Sequence, residues 1–106
     1  MTRQPKYEIV YSPEVADHIG AIELKHQRLI EKTIDEQLSY RPNRQTRNRK
    51  PLEELPGPFG STWELRFGPV NQFRVFYEIV ENERTVWVLA IGVKAGSRLF
   101  IAGEEF

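Results

Sequence analysis

Apolar and polar residues alternate most regularly in the second half of the chain, and strands are expected there. In Trp63–Phe67, Trp63, Leu65 and Phe67 share one face, while Glu64 and Arg66 take the other. In the next run, Phe73, Val75, Tyr77 and Ile79 oppose Arg74, Phe76 and Glu78. Gly68-Pro69-Val70-Asn71 lies between them and is a turn by composition, so the two runs form an antiparallel hairpin. A third strand, Thr85 to Lys94, carries Trp87, Leu89, Ile91 and Val93 on one side and Val86, Val88 and Ala90 on the other. Being apolar on both sides, it is expected at the centre of the sheet. Gly92 should end or kink it, so that Lys94 emerges near the sheet end that holds the Gly68–Asn71 turn.

The first half is helical in its spacing. Tyr7-Glu8-Ile9-Val10-Tyr11 is a short β-prone run. Ser12-Pro13-Glu14 then supplies an N-cap, a proline for the first helical position and an acid that suits the helix dipole. Val15, Ala16, Ile19 and Ile22 follow at helical spacing, weakened by Gly20. A second helix is expected from about His26 to Ser39, with Ile30, Ile34 and Leu38 on one stripe. Tyr40-Arg41-Pro42 ends it. Asn43–Pro51 has no apolar residue and reads as a solvated loop, and Leu52–Gly60 as a loosely packed Pro/Gly-rich connector. The tail after Lys94 is either a short extra strand or an ordered loop. The order β-α-α-β-β-β implies one α+β domain with its helices on one sheet face, leaving open the face that bears Arg66, Arg74 and Phe76.

Composition narrows the chemistry. The 106 residues contain no cysteine, so disulfides and thiolate metal sites are excluded. His18 and His26 are eight apart, which is no metal-site spacing, and both are expected to be partly exposed helix residues. There is no long apolar run and no signal peptide, so a soluble cytoplasmic protein is expected, without a membrane partner or cofactor. Formal net charge is zero, yet it is unevenly spread: −2 over residues 1–40, +5 over 41–50 and −3 over 51–106. The basic loop is either a connector kept in solution by its charges or a phosphate-contacting arm using Arg47, Arg49 and Lys50.

The hairpin adds a second feature. One natural register sets Arg66 directly across from Arg74, and like charges facing each other on a sheet are destabilising. Such a pair points to an anionic ligand; alternatively, a slip in register lets each arginine meet Glu64 or Glu78. Both guanidinium groups suit electrostatic stabilisation of an anion on which charge develops, while their high pKa makes both poor bases. Lys94 could move a proton, and Glu64 is either a base or a structural partner of the arginines. Phe100 either stacks on a base or fills the core.

The strings that carry a likeness are Arg47-Asn48-Arg49-Lys50-Pro51-Leu52, Trp63-Glu64-Leu65-Arg66, Phe73-Arg74-Val75-Phe76-Tyr77 and the Gly-x-Lys ending at Lys94. In order and spacing they resemble the RelE/ParE toxin superfamily of type II toxin–antitoxin systems, over Tyr7 to about Phe100. The resemblance implies two N-terminal helices packed on one face of a largely antiparallel four-stranded sheet. For a RelE-like or HigB-like member it implies a ribosome-dependent mRNA endonuclease that needs no metal and is neutralised by a cognate antitoxin. For a ParE-like member it implies a DNA gyrase inhibitor, and for a decayed member antitoxin binding alone. Matched by position, Arg66, Arg74 and Lys94 are the implied catalytic residues, and Phe100 with Arg98 the implied substrate contacts near the C-terminal end. Glu64 stands where many RelE-like sites hold a second basic residue, and Phe100 lacks the hydroxyl of a tyrosine.

Overall fold

The computed structural model describes residues 5–106. β1 (Glu8–Tyr11) is followed by α1 (Val15–Gly20), α2 (Leu24–Leu38), β2 (Arg49–Pro51), β3 (Trp63–Phe67), β4 (Phe73–Val80), β5 (Thr85–Ala95), β6 (Arg98–Ile101) and β7 (Glu104–Glu105). Among the described residues the sheet has seven strands rather than the expected four. Its order is β2-β3-β4-β5-β6-β7, with β1 also on β5. All pairings are antiparallel except β1 with β5, which is parallel. The extra strands come from the end of the basic loop, where a solvated loop is expected, and from the tail, where the sequence allows either a short strand or an ordered loop.

α1 begins only at Val15, because Ser12 spends its hydroxyl on Glu14 Oε2 (2.6 Å) and caps no helix N–H. α2 starts two residues before His26. Its stripe of Ile30, Ile34 and Leu38 is completely buried against Leu65, Val75, Tyr77, Val86 and Val88. Tyr77 carries a hydroxyl into this core, where it donates to Pro42 O at 2.8 Å; burial raises its pKa. That bond ties the chain leaving α2 to the middle of the sheet.

β5 corrects two expectations. Gly92 neither ends nor kinks it, since pairing continues to Ala95. A Cβ at Gly92 would stand 2.8 Å from Leu99 Cδ1 and 3.0 Å from Phe100 O, so the bare glycine lets β6 approach. The register also shifts between Phe76 and Tyr77, which pair with Ala90 and Val88. Leu89 is therefore the extra residue of a bulge, and side-chain alternation reverses across it. Val86 and Val88 join Ile91 in the helix-side core, while Ala90 faces the other way.

The sheet face away from the helices is only partly open. Phe76, Ala90 and Ile101 form a second buried cluster there, with Leu52 and Leu99 against it. The Leu52–Gly60 segment packs across this patch: a Cβ at Gly57 would meet Leu52, Ser61 and Phe76 side chains. Phe76 is thus buried, contrary to the open position expected of it.

Phe59, at the end of that segment, stacks on His18 with ring centroids 5.6 Å apart. His18 is buried rather than partly exposed, and its Nδ1 accepts the Ile91 N–H at 3.2 Å. β1 and β6 occupy the same edge of β5, β1 along Thr85–Val88 and β6 along Gly92–Ala95. Ile91 falls in the gap between them, and the imidazole supplies the acceptor that no strand can.

Candidate functional site

The β3–β4 register sets Arg66 against Arg74, with Glu64 against Phe76. Both strands alternate cleanly, so the buried sides Leu65/Phe67 and Phe73/Val75 fix the pairing and bring the two cations together on the opposite face. The slipped register, in which each arginine would meet its own glutamate across the strands, does not occur. A carboxylate balances them all the same. Glu64 reaches Arg74 Nη1 through Oε2 at 3.4 Å and Arg66 Nε through Oε1 at 3.8 Å. The side chains of Glu64 and Arg74 are 9% and 15% exposed and that of Arg66 30%, so the carboxylate is a buried bridge beneath two cations.

Each arginine is held differently. Arg74 Nε donates to Asn71 O at 2.9 Å, which aims the guanidinium along the β3–β4 turn. That turn is strained: Val70, β-branched and 96% exposed, has φ 47°, and Asn71 has φ 52°. Arg66 Nε and Glu64 Oε1 are both buried, and neither makes a hydrogen bond within the protein.

Two lysines complete the group. Lys50 pairs with Glu64 from β2 and so shares its face. Lys94 lies two residues beyond Gly92, the partner of Arg74 on β5, which puts it diagonally across from Arg74 at about 7–8 Å by strand geometry. Among the described residues no carboxylate is within ion-pair distance of either lysine. Four cations on one face thus surround a single buried carboxylate. Sequence reasoning left the role of Glu64 open and did not see that β2 would bring Lys50 beside it. The signal was there in Glu64 and Arg66, two apart on one strand face.

The other sequence-predicted residues lie elsewhere. Phe100 pairs with Val93, which pairs with Phe73, so it belongs to the helix-side face. It lines a cavity of about 210 Å³ with His18, Ala21, Ile22 and Val93. Arg98 is two residues before it on the same strand and pairs with Glu105 at 3.9 Å. Neither shares the face of Arg66 and Arg74.

Arg49 is buried. Its guanidinium donates to Arg44 O (3.1 Å), Gln37 O (3.0 Å) and Gln37 Oε1, which fastens the basic loop to the last turn of α2. Burial lowers its pKa, the neighbouring Tyr77 offsetting part of that. Arg47 is exposed. The basic loop is therefore a folded turn with some cations spent on structure. Among the described residues no group of three or more His, Asp or Glu is placed to hold a metal ion. Among the described residues no helix is long and apolar enough to cross a membrane.

No protein-family model matches the chain, and none of the curated proteins does. Among solved structures, a chain in the crystal structure of the toxin–antitoxin complex RelBE2 from Mycobacterium tuberculosis superposes with a TM-score of 0.69. The two are 19% identical, and the match covers 90% of this chain and 99% of that one. At that identity the likeness establishes architecture: this chain has the fold of a chain from the RelBE2 complex, in keeping with the family that its strand motifs resemble.

Proposed function

We propose that this chain is the toxin of a type II toxin–antitoxin pair and cuts mRNA on the ribosome without a metal. The observation that carries the reading is the like-charged pair Arg66–Arg74 in direct register, joined on the same face by Lys50 and Lys94. The shared fold with a chain of a toxin–antitoxin complex supports it. In this reaction the ribose 2′-oxygen bonds to phosphorus as the bond to the 5′-oxygen breaks. Arg66 and Arg74 offset the charge that builds on the phosphorane oxygens, an effect whose loss elsewhere costs about 10²–10³ in rate. Lys94 donates its ammonium proton to the departing 5′-oxygen and regains one from water. Glu64, engaged by both guanidinium groups, orients them. The 2′-hydroxyl proton leaves to water. So sparse a set of acids and bases suits an enzyme whose substrate is already bent into place, and that is the part assigned to the ribosome.

The test is primer extension on mRNA in a translating extract, with and without ribosomes. Stops inside codons should appear only with ribosomes and fall at least about a hundredfold in Arg74→Ala. Cleavage that survives this change removes the site assignment. Double-strand DNA breaks with intact mRNA would instead select gyrase inhibition.

A further inference from the structure

The far end of the sheet carries a second cationic cleft, of about 830 Å³, lined by Tyr7, Tyr40, Arg41, Asn43, Arg44 and Arg84. It lies about 25 Å from the first cluster, measured along β5 from Gly92 to Arg84 at strand rise. We infer that this cleft binds a phosphate of a single RNA strand between Arg44 and Arg84, with the neighbouring base stacked on Tyr40.

The construction of the cleft supports this. Arg49, buried beneath it, grips the Arg44 carbonyl and so fixes the backbone that presents the Arg44 side chain outward. Arg84 sits at φ 47°, a left-handed conformation that favours glycine, and its guanidinium lies 5.3 Å from the centre of the Tyr7 ring. Glu81 turns its carboxylate to neutral donors rather than to the arginines, accepting the Tyr7 hydroxyl at 2.8 Å through Oε1 and Asn43 Nδ2 at 2.9 Å through Oε2. Neither Arg44 nor Arg84 is ion-paired among the described residues. Tyr40, half exposed, offers a flat face beside them. Guanidinium forks next to an exposed aromatic ring suit a phosphate attached to a base.

The inference rests on the RNA reading above, but its readout is binding rather than cleavage. The test uses the full chain and a single-stranded RNA oligonucleotide, followed by anisotropy over a salt series and by NMR. Arg84→Gly suits the left-handed backbone, so it removes the charge without straining the turn, and Arg44→Ala keeps the carbonyl that Arg49 needs. The double variant is expected to bind RNA at least about tenfold more weakly, with its salt slope reduced by about 0.7 for the one phosphate that the two arginines share. Shifts at Tyr40 and Asn43 on adding RNA should persist in Arg74→Ala.

Unchanged affinity and slope in a folded double variant overturn the proposal. So does a result in which inorganic phosphate fills the cleft and an oligonucleotide gains nothing over it, or in which the double variant loses polyglutamate binding while keeping RNA. If the wild-type chain binds RNA here yet cuts no message on ribosomes, the nuclease reading fails and this one stands.

Discussion

Glu64 holds two cations that the hairpin forces together, so its removal should act in opposite directions on stability and on RNA binding. In Glu64→Gln the guanidinium groups of Arg66 and Arg74 face each other without an anion. Breaking a buried pair costs about 3–5 kcal/mol; with Arg66 30% exposed, about 1–3 kcal/mol is expected here. Urea unfolding measures that loss, and anisotropy with single-stranded RNA should show tighter binding. If neither quantity moves, the carboxylate is a bystander. His18 sets a pH dependence. Burial holds its pKa below the ordinary 6.5, with Glu14 and Asp17 pulling the other way. The unfolded chain therefore takes up the proton first as pH falls. Stability should be complete above 6.5 and decline below it, and His18→Gln should flatten that decline in urea titrations. Spacing on a short helix could not reveal that this side chain would fill a gap in strand pairing.

At the level of elements, the alternation of β3 and β4 was legible because each has a polar face, and contrast between faces is what fixes register. β5 and β6 lack that contrast. The reversal at Leu89 and the direction of Phe100 could not be read, since Leu99, Phe100 and Ile101 are all apolar and either face would serve. β2 was hidden for another reason: Arg49 is buried only because Gln37 and the Arg44 carbonyl supply its acceptors, and those come together only in the fold. Gly92→Ala tests the β5–β6 junction. Its methyl would press on the Phe100 carbonyl and the Ile101 side chain, so a loss of about 1–3 kcal/mol is expected. Hydrogen exchange should quicken at Leu99–Ile101 before it does in β3 or β4; uniform exchange across the sheet would mean the strain is absorbed elsewhere.

For the molecule as a whole, a formal net charge of zero hides two cationic regions at opposite ends of one sheet. A zero total does not by itself favour nucleic-acid binding, but the distribution of charge carries more weight. RNA affinity should therefore fall steeply with salt, and in Arg74→Ala the slope of log affinity against log salt should drop by about 0.7. A slope near zero for the wild-type chain would remove the phosphate contacts from both regions. The parallel pairing of Glu8–Tyr11 with Thr85–Val88 has a further meaning. During synthesis Glu8–Tyr11 leaves the tunnel well before Thr85–Val88 and must wait for it, and such distant partners assemble slowly. On the proposed reading, the sheet that carries the arginines closes only once Val88 has cleared the tunnel, which would spare the machine that is making the chain.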